Sequence, residues 1–530
     1  MFLPVILDLI SKKISKSLLC SGLCLFCWVR GGLRSAEFFA ENQSMIRRCS
    51  SLQVAGPESV RSAAPNLAYL RRLPVMRTTL RFLSFTSLVL LTVSCCKADG
   101  YDLVDSRAPG DLQEVTVNVF VTGKLKTKDK EKQTVEVPLG VNGRLRYDER
   151  IRDLEVDAAK VRSARHYHEA TARIQVDTFT IEPRLSKRHL LLMSEVDEDQ
   201  AKLFCPLGPL SREELDLVNV QANSLVLPSL LPQREQQIGQ SWSHEKQMLA
   251  KLLGIDAVRT SDVKSTFQRV DGEVAHITMG GDVSGTVQGV ETKIKVSGEY
   301  QFDLAQQRMT AVELKLHEDR EIGSAEPGFT VDAKLQLQMT RLDDPSRLSE
   351  SALAGLPVAS SPETLMLRFE SSAGKFLLMH DRPWRVMVNN SKQAILRYIE
   401  NGEFIAQCNV SRLPRKPKNR LPLASFQSDV QNSLGENFGS FVDSAEFDTD
   451  EGLHVLQVTA VGEASNLPVQ WRYYHLSDKA GYRAACVVTM RAKMVEQYPQ
   501  IAERLIASFQ FREEADTPET AQELRSVLKK

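Results

Sequence analysis

The sequence predicts an α+β protein of two domains: a curved, half-barrel-like antiparallel β-sheet carrying one helix, then a smaller unit in which helices lie on a central antiparallel sheet. Three observations predict it. Between 115 and 342 apolar residues recur at every second position in run after run. The runs are joined by turns too short for a parallel crossover, which needs about a dozen residues or more. Beyond a stretch with three prolines at 342–365, the period-two runs alternate with segments of helical period.

In chain order, VTVNVFVTG (115–123), RHYHEATARIQV (165–176), EVAHITMGGDVSGTVQGV (273–290), TKIKVSGEYQFDL (292–304), MTAVELKLHEDREI (309–322) and FTVDAKLQLQMTRL (329–342) read as strands with one apolar and one polar face. A wide sheet of this kind buries one side. The helix expected against its concave face is SHEKQMLAKLLGI (243–255). Ser243 can cap it, Met248, Leu249, Leu252 and Leu253 form its stripe, and Gly254 stops it. This domain spans 101–342, and 343–363 reads as a linker.

The second domain begins with LMLRFES (365–371) and KFLLMHDRPWRVMVN (375–389), then AILRYIENGEFIAQCNVSRL (394–413), which turns at Asn401-Gly402, a strong hairpin signal. A helix is expected over 423–441, with Leu423, Phe426, Val430, Leu434 and Phe438 on one face. Three strands follow at 451–464, 468–477 and 481–492, and a last helix at 494–511. The order Phe376, Pro383, Trp384, Val386, then a hairpin, a helix, the paired Tyr473 and Tyr474 and a final SFQF (508–511) resembles the PsbP/Mog1-type superfamily of α/β/α sandwich domains, over residues 364–513. The matching features concern packing and turns. The resemblance implies an α/β/α sandwich and a non-enzymatic accessory role in an envelope or thylakoid lumen, and it implies no catalytic residue. The first domain resembles LolA-like half-barrels, which implies a lipoprotein-carrying or ligand-holding sheet of a bacterial envelope.

Compartment is read from RFLSFTSLVLLTVSCCKADG (81–100). Its uncharged run, Phe82 to Ser94, is 13 residues long, short of the roughly 20 that span a bilayer. Met76, Arg77 and Arg81 precede it and small or polar residues follow, the order of a cleavable secretory signal over 76–98. TVSC (92–95) resembles the bacterial lipobox, so Cys95 is a candidate lipid attachment site, although Thr92 stands where leucine is usual. A competing cut after Ala98 would release a plain secreted protein. Residues 1–75 carry ten Lys or Arg against four Asp or Glu and read either as an upstream start with Met76 the true initiator or as an organelle-targeting peptide. The expected location is therefore exported, in a bacterial envelope or periplasm and held at the membrane by leader or lipid, with an organelle lumen as the alternative.

From residue 95 onward, 55 basic residues face 63 acidic ones, a net charge of about −8. That balance argues against nucleic-acid binding, which needs a basic face. Of nine cysteines only Cys205, Cys408 and Cys486 lie in the body of the chain. An odd number excludes a dense disulfide framework, while Cys408 and Cys486 can pair in an oxidising compartment.

Residues with chemistry are sparse. His166 and His168 fall on one face of a strand, close enough to share a metal ion, with Glu169 on the other face. The competing reading is two ordinary histidines on a solvated face. No G-x-S-x-G occurs, and GGDVSGTVQG (280–289) runs on into a strand where a phosphate loop would open a helix. No catalytic residue and no cofactor is expected. RLPRKPKNRLP (412–422) holds five cations and three prolines and reads as a solvated loop or as a contact for an anionic lipid surface or acidic partner. The charged 514–530 reads as a tail. These features together point to an exported, non-catalytic binding or scaffolding protein, with an apolar ligand on the concave sheet or an envelope protein as partner. The alternative is an envelope hydrolase or metal-dependent enzyme whose site is scattered in sequence.

Overall fold

The computed structural model describes residues 100–512 except 130–132, 156–159, 199, 324–325 and 417–419; the leader, Cys95 and the tail lie outside the described residues. The chain is mostly strand, arranged in open antiparallel sheets. A short pair, β1 (Tyr101–Asp102) with β8 (Glu235–Gln236), stands apart from a 13-stranded sheet. That sheet contains β2 (Leu112–Lys128), β3 (Thr134–Glu155), β4 (Lys160–Val176), β5 (Phe179–Ile181), β6 (Leu191–Val196), β7 (Ala201–Phe204), β9 (Ser241–Ser243), β10 (Ala257–Ser261), β11 (Lys264–Asp271), β12 (Val274–Val287), β13 (Val290–Asp303), β14 (Arg308–Arg320) and β15 (Gly328–Arg341). Its spatial order is β7-β6-β4-β3-β2-β15-β14-β13-β12-β11-β9, with β5 on β4 and β10 on β12. The last strand of the series, β15, pairs with the first long one, β2, so the two ends of the segment meet in mid-sheet.

The period-two pattern decides which face is buried. Val115, Val117, Val119 and Val121 of β2 and Ile294, Val296, Tyr300 and Phe302 of β13 all point inward with 2% exposure or less. Residues 205–255 close that face. They form α1 (Arg212–Val218), held by a capping box between Ser211 and Glu214, a 3-10 turn at Leu227–Leu230, and α2 (Lys246–Leu253). Leu217, Leu227, Leu230, Leu249 and Leu252 are fully buried against the strands. Each such side chain contributes roughly 1.5–3 kcal/mol. The carbonyl of Leu230 accepts from both Trp242 Nε1 at 2.9 Å and Tyr300 OH at 3.2 Å, which ties the closing segment to the sheet. α2 ends at Gly254 with φ of +64°, as its sequence predicts. It begins later than expected, because Ser243 is a residue of β9 paired with Lys264, and Glu245 takes the N-cap position instead.

Residues 343–363 are packed down. A 3-10 turn at Ser346–Leu348 and α3 (Glu350–Leu353) place Leu348 and Leu353 on the outer face of the sheet, against Leu112, Ala164, Met193 and Phe204.

Beyond them, β16 (Leu367–Ser371), β17 (Phe376–His380) and β25 (Gln510–Phe511) form a small sheet. β18 (Trp384–Asn389), β19 (Ala394–Glu400), β20 (Glu403–Leu413), β21 (Phe438–Asp448), β22 (His454–Ala464), β23 (Leu467–Ser477) and β24 (Arg483–Arg491) form a seven-stranded sheet in the order β18-β19-β20-β24-β23-β22-β21. α4 (Leu423–Leu434) packs Phe426, Val430 and Leu434 on one face, with Trp471 and Tyr473. Residues 494–509, including α5 (Glu503–Ala507), pack Leu505, Ile506 and Phe509 on the other, with Tyr474 and Leu476. The hairpin turn forms with Asn401 at φ +50° and Gly402 at φ +77°. Two helices are shorter than expected. α4 stops where Gly435 adopts φ +53°, so Phe438 opens β21 and leaves the helical face. The last helix is confined to five residues because Pro499 has no N–H to donate and disfavours helical geometry at Tyr498, and Phe511 pairs with Phe376 in β25.

Candidate functional site

Two polar groups lie one rung apart on the same three strands. The inward rung is Gln113, Glu149 and Arg165, aligned across β2, β3 and β4. Arg165 Nε donates to Glu149 Oε1 at 2.7 Å, and Gln113, Ser163 and Ser224 donate to the same carboxylate at 2.8, 2.8 and 2.7 Å. Arg165 Nη2 also reaches Asn223 Oδ1 at 2.6 Å, and the guanidinium lies 4.9 Å from the centre of the Tyr147 ring. Burial alone would raise the Glu149 carboxyl; Arg165 and the hydroxyl and amide donors outweigh it and hold the group below its ordinary range. An ion pair so fully saturated has nothing left to offer a ligand, and it is structural.

The outward rung is Glu114, Asp148 and His166. A β-bulge where Arg146 and Tyr147 face Glu169 and Tyr167 brings His168 beside it. His168 Nε2 is 2.9 Å from Asp148 Oδ1, and one ligand atom each from Glu114, Asp148 and His168 lie within 4.8 Å of one another. The His166 and His168 rings are 5.3 Å apart between centres. Arg347, from the packed-down segment, donates to His166 Nε2 at 3.3 Å, while His166 Nδ1 is buried without a partner. Burial, then the charges of Arg347 and His168, hold His166 below its usual range against the pull of Asp148. On the rim, Arg146 reaches Glu114 at 3.3 Å.

The expectation for Glu169 is corrected by the bulge. The extra residue puts His168 and Glu169 successively on the outer face, where Glu169 pairs with Arg144 at 3.4 Å. The two carboxylates that do meet the histidines come from β2 and β3. Nothing local in the sequence announces them, since their approach depends on strand register.

Elsewhere Cys408 lies opposite Val488 and Cys486 opposite Val410, diagonal neighbours on one face; both are free, buried thiols, and burial raises both. Of the basic loop, Arg412 and Arg415 stack on Tyr482 at 4.8 and 4.7 Å, and Arg415 Nε donates to the Ala480 carbonyl, so these two cations are held against the neighbouring hairpin. A trough of about 550 Å³ on the outer face is lined mainly by polar and charged residues, including Asn118, Thr278, Glu299, Gln336 and Gln338, with Glu313 and Lys315 paired to each other at 3.3 Å. Where the two large sheets meet, Arg212, Arg382 and Arg385 surround Asp216 and Glu326, and burial pushes Asp216 up to about 6.

No protein-family model matches the chain, and no curated protein matches it. Among solved structures, lipovitellin aligns with 51% of this chain at 10% identity and a TM-score of 0.27, and the chain spans 29% of that protein's length. The cyanobacterial PsbP of Synechocystis sp. PCC 6803 aligns over 98% of its own length and 30% of this chain, at 9% identity and a TM-score of 0.22. The translocator domain of the autotransporter NalP from Neisseria meningitidis covers 74% of this chain and 91% of its own at a TM-score of 0.12. These are weak, fold-level likenesses.

Proposed function

We propose that this chain is an exported, non-catalytic binding or scaffolding protein of a cell envelope, which works by presenting sheet surfaces to a partner. The observation that carries the reading is the contrast between the sheet's two faces. Its apolar face is filled by the chain's own Leu217, Leu227, Leu230, Leu249 and Leu252, whereas its outer face offers a polar trough in which Glu313 is paired with Lys315 and Glu299 with His276. The leader-like 76–98, with Cys95 as a candidate lipid anchor, and the net charge of about −8 after residue 94 support export of a water-compatible body. No helix among the described residues is long and apolar enough to cross a membrane. An apolar ligand would need residues 205–255 to swing away from the sheet, so a protein partner on the outer surface accords better with this closed state.

Native mass spectrometry of the protein purified from its own membranes tests this. A co-purifying protein that releases at high salt is the expected result. A stoichiometric bound lipid would replace the reading with that of a carrier, and sustained turnover of an ester, phosphate or peptide substrate would replace it with that of an enzyme. Labelling with a radioactive fatty acid, lost in Cys95→Ser, checks the anchor separately.

A further inference from the structure

We propose that Glu114, Asp148 and His168, with His166 as a fourth ligand, form a binding site for a single divalent transition-metal ion of the zinc class. The ligands come from three neighbouring strands whose pairing fixes their spacing: Glu114 of β2 faces Asp148 of β3, which faces His166 of β4. The β-bulge supplies His168 on the same face, where one ligand atom each from Glu114, Asp148 and His168 lie within 4.8 Å of one another and the His166 ring stands 5.3 Å from that of His168.

Three geometric facts support the assignment. First, two ligand atoms on one zinc ion sit roughly 3–4 Å apart, given bonds of about 2.0–2.2 Å; the carboxylate and imidazole atoms within 4.8 Å of each other need to close by about 1 Å, which side-chain rotation supplies. Second, two imidazoles bound tetrahedrally to one ion have ring centres about 5 Å apart by the same bond lengths, and the separation here is 5.3 Å. Third, His166 is only 8% exposed and its Nδ1 has no hydrogen-bond partner; once Arg347 yields Nε2 so that this nitrogen carries the ring proton, Nδ1 has a lone pair for a metal ion. A buried ring nitrogen without a partner is costly, and a metal ion would satisfy it. Mixed imidazole and carboxylate donors suit zinc and its neighbours better than calcium or magnesium, which prefer oxygen alone. Arg146 and Arg347 flank the cluster at 3.3 Å from Glu114 and His166 and would compensate the carboxylates in the empty state.

Two other histidines sit between carboxylates, His276 with Asp271 and Glu299 at 3.3 and 3.2 Å, and His454 with Glu446 and Asp448 at 3.3 and 3.1 Å. They provide internal controls. The purified full chain, stripped with chelator, is titrated with zinc by calorimetry, and the cobalt form is read by its visible absorption. The proposal expects one equivalent bound, abolished in His168→Gln and in Asp148→Asn, and weakened at least tenfold in His166→Ala with a changed cobalt spectrum. His276→Ala and His454→Ala should bind as the wild type does. Far-UV circular dichroism establishes that each variant is folded, and Asp148→Asn is nearly isosteric should His168→Gln misfold. Absence of uptake by the wild type overturns the proposal, as does uptake that survives in the folded His168→Gln, Asp148→Asn double variant or that follows His276 or His454.

Discussion

Asp148 and Glu149 are consecutive residues, yet they belong to opposite kinds of site. Glu149, turned inward, has every lone pair directed at a donor: Arg165, Ser163, Ser224 and Gln113. Asp148, turned outward, has His168 at 2.9 Å and lies beside a buried histidine whose Nδ1 is unsatisfied. Strand register is common to both rungs, so register alone does not make a site. What differs is the cover. The segment 205–255 brings Asn223 and Ser224 down as dedicated partners for the inner rung, whereas the segment 343–363 brings Arg347 to the outer one. Saturation marks the inner group as scaffold, and partial saturation marks the outer group as a place where something else can bind.

The largest effect that tests this contrast is at Arg165. Arg165→Ala strands a fully buried carboxylate, and a loss of about 3–5 kcal/mol is expected by chemical denaturation. Arg165→Met combined with Glu149→Gln should cost less than the sum of the two single changes, because the buried charge is gone with its partner. Asp148→Ala should cost no more than about 1.5 kcal/mol in metal-free protein, the range of an ordinary hydrogen bond. Equal losses on the two rungs would erase the distinction drawn between them.

Next in size is the seal on the apolar face. Leu252 is fully buried between α2 and the strands, and Leu252→Ala should cost about 2–5 kcal/mol through lost transfer energy and a residual cavity. A much smaller loss in thermal or denaturant unfolding would mean that the closing segment is loosely held, and that the inner face is open to a ligand after all.

The sequence disclosed the inner face more fully than the outer site. Alternation in β2, β12, β13, β14 and β15 announced both the strands and the side they bury. It said less of β3, the central strand that carries Asp148 and Glu149, because Pro138, Gly140 and Gly143 resemble turn residues and its charged half lacks alternation. The closing segment was legible only at α2, whose leucine stripe and Gly254 are local signals; α1 and the Leu227–Leu230 turn are too short to show a period. His166 and His168 stood out by spacing, whereas Glu114 and Asp148 join them through pairing across strands and a bulge, neither of which has a local signature. In the second half, Asn401-Gly402 set its hairpin by backbone preference, and the two helix lengths were overestimated because Gly435 and Pro499 cut short patterns that continue past them.

pH separates the halves of the chain. His475 on β23 has both ring nitrogens unpartnered, and burial, then Arg483 and His454, hold it down to about 4 from an ordinary 6.5. A depressed folded-state value means that its contribution to stability is complete above about pH 6.5 and is lost progressively as pH falls toward 4, when the unfolded chain takes up the proton first. His475→Leu should flatten the decline in unfolding midpoint across that window. Asp216, at the junction of the sheets, works with the opposite sign. Burial raises it from 3.8 to about 6, so its contribution is complete below about pH 4 and is lost as pH rises through 6. Asp216→Asn should therefore make the wild-type acid decline steeper.

The smallest effect concerns how the outer cover is held. Glu350 of α3 bridges Arg150 at 2.8 Å and Arg152 at 3.0 Å, but its side chain is 71% exposed. Water screens such a pair, and Glu350→Ala should cost about 0–1 kcal/mol, falling further at high salt. Leu348 and Leu353, buried on Leu112 and Phe204, should carry most of the attachment instead. That ordering bears on the outer site, since Arg347 reaches His166 only while this segment is docked. If the cover is held by packing, raising the salt concentration leaves Arg347 in place and zinc affinity nearly constant. If ion pairs hold it, high salt releases Arg347, frees His166 Nε2 to carry the ring proton so that Nδ1 can ligate, and strengthens zinc uptake, so a titration at two salt concentrations distinguishes the two attachments.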